Sequence, residues 1–339
     1  MKSTRILKGL RRDALPIQEL IDTGEPAVLK GVVNDWPLVR KGLEGPRAAI
    51  DYLSDFDVGR PVVAYTGAPE IGGRFFYNED ISGLNFEAKR VPFKDFLKRI
   101  ADHLEDPQAP AFYIGSTDLD EYLPGLASEN QLPPTVAPFA DYPPIESIWI
   151  GNRTIASTHF DFSNNIVCNL VGRRRFTLFP PDQIANLYPG PLEPTPGGQV
   201  VSMVELRNPD FERFPSFREA VDAAQVAELE PGDLLIYPAM WWHNVEALDP
   251  FNAMINYWWN ATPSFVDTPM TTLLHAILSL RDRPEAEKKA WRLLFEYYIF
   301  GDSDRAAAHL PEHARGVLSP LTDLMARRLR ADLLQRLNR

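Results

Sequence analysis

The chain has 339 residues, 45% of them hydrophobic, which is enough to bury a substantial core in one large domain or two ordinary ones. Its net charge of −11 is spread without long acidic runs, so nothing draws it generally to nucleic acid or to an anionic membrane. The single cysteine, Cys168, excludes an intrachain disulfide framework and a thiolate metal cluster, and no run of eighteen apolar residues is present to span a membrane. Residues 1–12 are basic without an apolar run, so no secretory signal is read there and a cytoplasmic protein is expected.

In chain order, residues 26–33 form a compact β-branched run broken at Gly31, and Asn34-Asp35-Trp36-Pro37 makes a turn with Trp36 as a core anchor. Helical spacing covers 46–53, and 60–65 reads as a strand. Gly72-Gly73 marks a hairpin-like turn into Arg74-Phe75-Phe76-Tyr77. Residues 91–104 carry Phe93, Phe96, Leu97, Ile100 and Leu104 at the spacing of an amphipathic helix, and 111–115 is a short apolar strand. Residues 116–144 are rich in proline and acids and read as a long loop with a helical turn at 119–126. Such a segment serves either as a substrate-facing lid or as packed surface.

From 145 to 259 short strands follow one another. Residues 147–151 enter, and His159-Phe160-Asp161 follows. The run 165–171 leads through Gly172 to 175–181 and looks like a hairpin, and a proline-rich loop continues to Gly198. A helix is expected at 217–224, a tight turn between antiparallel strands at Glu230-Pro231-Gly232-Asp233, and strands at 234–237 and 253–258. This density of short strands predicts a mainly β protein: a double-stranded β-helix, or jelly roll, with flanking helices and a C-terminal helical segment. Side chains two apart on a strand share a face, so His159 and Asp161 can aim an imidazole and a carboxylate at one point. With His243 of Trp241-Trp242-His243 they would complete a two-His-one-carboxylate set, which suits non-haem Fe(II).

Several motifs then coincide in order and spacing: His159-Phe160-Asp161, Asn165, Gly172 before a basic pair, Leu178-Phe179-Pro180-Pro181-Asp182-Gln183 and Leu187-Tyr188-Pro189. The run 208–215, Pro231-Gly232-Asp233, Trp241-Trp242-His243 and Asn256 extend the set. In these the chain resembles the cupin-like branch of the JmjC family of Fe(II)- and 2-oxoglutarate-dependent oxygenases, and is most similar to that branch's asparaginyl hydroxylase. The resemblance implies that His159, Asp161 and His243 bind Fe(II), that Asn165 and Asn256 approach the co-substrate 2-oxoglutarate, and that Tyr113 hydrogen-bonds its distal carboxylate. Two positions depart from the family. Arg174 stands where a lysine grips the distal carboxylate; strand alternation puts it on the side of Phe176, with Arg173 and Arg175 opposite. Ala156 stands at the offset of the family's threonine, leaving Ser157 or Thr158 to supply a hydroxyl.

After Trp259, helical periodicity returns at 271–280, 286–300 and 318–337. The last carries Leu321, Leu324, Met325, Leu329, Leu333 and Leu337 on a stripe that must pack on the parent domain or on a second copy. The resemblance implies a homodimer through these helices. The chain thus divides into 1–144, an N-terminal α/β part; 145–262, the jelly-roll core with the metal site; and 263–339, the C-terminal helices. Three functions compete: a 2-oxoglutarate-dependent hydroxylase of a peptide, protein or small molecule; a metal cupin enzyme that uses no keto acid; and a ligand-sensing regulatory cupin. Acidity argues against a nucleic-acid partner.

Overall fold

Alternation along each strand separates two faces, and the burial of those faces defines the layers. A computed structural model describes residues 1–338. In chain order the strands are β1 (Lys2–Ser3), β2 (Arg5–Leu7), β3 (Ala27–Leu29), β4 (Pro61–Gly67), β5 (Arg74–Phe75), β6 (Phe86–Pro92), β7 (Ala111–Asp118) and β8 (Ile145–Gly151). They continue with β9 (Ile155–Phe160), β10 (Asn164–Val171), β11 (Arg174–Phe179), β12 (Gln225–Leu229), β13 (Leu234–Tyr237), β14 (Trp242–Ala247) and β15 (Asn252–Trp259). A six-stranded sheet has the order β1-β12-β11-β14-β9-β5, and a nine-stranded sheet the order β2-β3-β13-β10-β15-β8-β7-β4-β6. Most pairs are antiparallel; β1–β12, β2–β3 and β5–β9 are parallel.

The inner faces of the two sheets meet through Val167, Phe176, Leu178, Leu235, Tyr237, Val245 and Met254, giving the sandwich core expected of a jelly roll. The outer face of the nine-stranded sheet is covered by helices Pro37–Glu44, Pro46–Ser54 and Phe93–Asp102, which bury Leu38, Ile50, Phe96 and Ile100 against Ile148, Ile166 and Ile255. The outer face of the six-stranded sheet is covered by helix Phe217–Ala223 and the loop before it, around Phe160, Phe179 and Trp242. Each such side chain contributes about 1.5–3 kcal/mol when fully removed from water.

The sequence misleads where two strands are neighbours in the chain but not in space. Strands β10 and β11 are not a hairpin. β10 pairs with β13 and β15, whereas β11 pairs with β12 and β14 in the other sheet. Gly172 carries the chain across at φ +70°, and an added Cβ would strike Asn252 Oδ1 and lie 2.6 Å from the Phe251 carbonyl. The Pro231-Gly232-Asp233 turn makes a second crossing, from β12 of one sheet to β13 of the other. There Asp233 accepts from the Glu230 and Gly31 amides at 2.8 and 3.0 Å and pairs with Lys30. Gly72-Gly73 is not a hairpin turn either, because β4 pairs with β6 and β7 while β5 joins β9.

Strand β6 escapes a pattern reading because Glu87, Ala88, Lys89 and Arg90 lie exposed on a sheet edge; it ends at Pro92, so the following helix starts only at Phe93. The 116–144 segment is packed rather than lid-like: Leu119, Leu123, Leu126, Leu132, Val136 and Phe139 are all buried in the helix-covered core. The unit Met1–Asn260 contains both sheets, so the strands before residue 145 are built into the same sandwich as those after it.

A second unit begins at Ala261. It contains helices Pro269–Ser279, Glu285–Phe295 with a π-helical continuation Glu296–Phe300, Ser303–Ala307 and Asp323–Leu337. Among the described residues, its buried apolar side chains are Ala306, Ala307 and Ala326. No helix of the described residues is long and apolar enough to cross a membrane.

Candidate metal centre

His159 lies near the end of β9 and Asp161 one residue beyond the strand, while His243 faces His159 directly across the β9–β14 ladder. One ligand atom from each of the three lies within 4.8 Å of the others. The two imidazole centroids are 4.2 Å apart, and His243 Nε2 is 3.5 Å from Asp161 Oδ2. Each ring is oriented by its own strand. His159 Nδ1 sits 2.8 Å from the Ser157 carbonyl and His243 Nδ1 3.0 Å from the Trp241 carbonyl. A carbonyl only accepts, so Nδ1 carries the proton in both rings and the Nε2 lone pairs face the common point. Burial, reinforced by His159, pulls the His243 imidazole down to about 4, which keeps it neutral and able to ligate. The Met240 amide, at a left-handed φ of 68°, donates to the Asp161 carbonyl at 2.8 Å and pins the backbone beside the carboxylate. Two imidazoles and a carboxylate on one side of an open cavity fit Fe(II).

That cavity, about 340 Å³, lies between the two sheets. His159, Asp161, His243, Asn165, Asn256 and Tyr113 all line it, so six of the seven residues singled out in the sequence come together. The two asparagines belong to a network. Trp149 Nε1 donates to Asn256 Oδ1 at 2.6 Å, Asn256 Nδ2 to Asn165 Oδ1 at 3.4 Å, and Asn165 Nδ2 to Tyr237 Oη at 2.7 Å. Tyr237, Trp149, Trp258 and Phe75 also line the cavity, although sequence reasoning passed over them. Their strand parity was legible, but aromatic residues at alternating positions look the same in any sheet core.

The seventh residue, Arg174, is on the inner face of β11, two positions before Phe176, and does not form part of the cavity wall. It is 2% exposed. Arg173 and Arg175, on the other side, pair with Asp249 and Glu228 at 2.8 Å each, whereas among the described residues Arg174 has no carboxylate partner and its buried Nε no acceptor. Burial pulls its guanidinium down to about 10, with neighbouring Tyr113 opposing the shift. A buried cation without a counter-charge is costly, so this corner of the barrel fits an anion. Ala156 and Ser157 line the cavity and Thr158 does not; the Ser157 hydroxyl is held by the Phe75 carbonyl at 3.0 Å.

A cupin-like domain model matches residues 13–265. Human "HSPB1-associated protein 1" is 35% identical over 150 residues, covering 43% of this chain and 30% of the human protein. Chicken "tRNA wybutosine-synthesizing protein 5" is 28% identical over 252 residues, covering 67% of this chain and 71% of that protein. "Lysine-specific demethylase JMJ31" of Arabidopsis thaliana is 26% identical over 271 residues, covering 70% and 46%. The chain thus spans under a third of the length of the human relative and under half that of the plant one.

Proposed function

This chain belongs to the cupin-like domain family, and from that premise we propose that it is an Fe(II)- and 2-oxoglutarate-dependent oxygenase that hydroxylates a protein or peptide side chain or a small molecule. The observation that carries the reading is the triad, with both Nδ1 atoms tied to their own strands and three ligand atoms converging at the cavity. Iron, when bound, supplies the oxidising chemistry: substrate C–H, O₂ and 2-oxoglutarate become C–OH, succinate and CO₂. The chain's own residues orient the ligands, present polar groups at one wall, and keep the rest of the cavity apolar. Arg174 would hold the distal carboxylate of the co-substrate, supported by its burial without a partner acid. Tyr113, whose phenol burial pushes up, stays protonated beside it and able to donate.

The finer likeness, to the asparaginyl hydroxylase factor inhibiting hypoxia-inducible factor, rests on the motif order. The names of two relatives point to tRNA and to lysine demethylation; a net charge of −11 mildly disfavours RNA, and we place a protein side chain or a small molecule ahead of it. A specific observation favours a second reading. Arg174 stands off the cavity wall, and an acid other than 2-oxoglutarate, handled without keto-acid turnover, accounts for that placement as well. Succinate release from 2-oxoglutarate under O₂, without added substrate, tests the first reading. Its absence from iron-loaded protein, together with metal-dependent conversion of another small acid, would replace it with the second. A screen of peptides and metabolites for a gain of about 16 Da, the mass of one oxygen in this chemistry, then identifies the substrate.

A further inference from the structure

The network behind the triad has a direction. Trp149 donates to Asn256, Asn256 to Asn165, and Asn165 to Tyr237. Each amide oxygen is used to accept and each amide nitrogen to donate onward, which fixes the orientation of both asparagines. One proton is left over. A phenol oxygen that accepts from Asn165 still has its own hydrogen to give, and among the described residues no protein group takes it. Tyr237 is 2% exposed, lines the cavity, and places its ring centroid 5.0 Å from that of His243. A buried donor is rarely left without an acceptor, and one whose oxygen already receives a hydrogen bond is polarised toward donating.

We propose that Tyr237 is a ligand-binding residue of this cavity, its hydroxyl donating to a carboxylate oxygen of the acid held beside His159, Asp161 and His243. The proposal rests on the reading that an acid binds here, and it adds the group that meets that acid on the metal side. A carboxylate is the acceptor that a neutral phenol binds most strongly, through a short charge-assisted bond. Arg174 and Tyr237 lie on facing sheets, β11 in one and β13 in the other.

The test is calorimetric titration of 2-oxoglutarate into the full chain loaded with Mn(II) under argon, for wild type and for Tyr237→Phe. Removing one hydroxyl should weaken acid binding by about tenfold or more, the usual worth of a hydrogen bond to a charged group. Mn(II) affinity should not change. Wild type should also show a tyrosine difference absorption when the acid binds, and the variant should lose most of it. A hydroxyl that merely supports Asn165 would leave that band in place. Unchanged affinity, or a band that survives the substitution at full strength, overturns the assignment. Wild type that binds no 2-oxoglutarate overturns the oxygenase reading along with it, and that failure is visible before any substitution is made.

Discussion

At His159 and His243 the backbone makes the tautomer choice before any ion arrives, because each Nδ1 is bonded to the carbonyl two residues earlier. The purified protein should therefore bind about one divalent ion per chain through the Nε2 atoms and Asp161. His159→Ala or Asp161→Ala should bring bound metal to background in elemental analysis; full occupancy in both variants would refute the triad. Arg174 is the other residue whose chemistry is set by its surroundings. Losing one side of a buried charge-assisted pair costs about 2–5 kcal/mol, so Arg174→Ala should weaken 2-oxoglutarate binding more than tenfold. Arg173→Ala, which loses only an exposed pair with Asp249, should leave it nearly unchanged. Equal effects would show that the inner-face arginine is not the anchor. Without an acid bound, Arg174 is a liability to the fold. Arg174→Met should stabilise the ligand-free protein to chemical denaturation by about 1–4 kcal/mol while abolishing acid binding.

At the scale of elements, the two sheet crossings place the site. Strand β10 brings Asn165 to the nine-stranded sheet opposite Tyr237, and the crossing at Gly172 then delivers β11, with Arg174 and Phe176, to the facing sheet. A hairpin at this point would leave both strands in one sheet, with no cavity between them. Gly172→Ala puts a methyl against the Asn252 side chain and the Phe251 carbonyl in a backbone region that alanine avoids. It should cost about 1–3 kcal/mol in urea unfolding. Gly197→Ala, in a loop where an added Cβ meets nothing within 4 Å, should cost far less. Similar losses at the two glycines would mean that the crossing is not sterically demanding.

At the scale of the whole molecule, the helices after Ala261 carry more apolar surface than they cover. Leu324 is 54% exposed, and Leu321, Leu333 and Leu337 are exposed as well. Helix Asp323–Leu337 leaves Leu324, Leu333, Leu334 and Leu337 exposed, and a fifteen-residue helix with so many uncovered leucines is marginal alone in water. We propose that a second copy covers it. Across a two-fold axis the same patch meets itself, so Leu324→Arg would set two charges against the seam and should yield monomers that retain metal. Light scattering decides this: wild type that is monomeric at tens of micromolar, in the range where a standard interface of about 1,600 Å² holds, ends the dimer proposal.

The sequence by itself determined what depends on local periodicity. Alternation put His159 beside Asp161 and Arg174 opposite Arg173, and the observed faces agree, because side-chain direction along a strand is a property of the covalent chain. The jelly-roll class and the terminal helices were legible for the same reason. Tertiary structure alone decided which strands are neighbours. A glycine turn looks the same whether the chain folds back on its partner or crosses to another sheet, so β10 and β11 read as a hairpin and are not one. It also decided that Arg174 has no acid beside it among the described residues, and that Tyr237 meets Asn165 across 72 positions of chain. Those facts depend on long-range register, which is set by burying both faces of every strand at once and has no signature in any single segment.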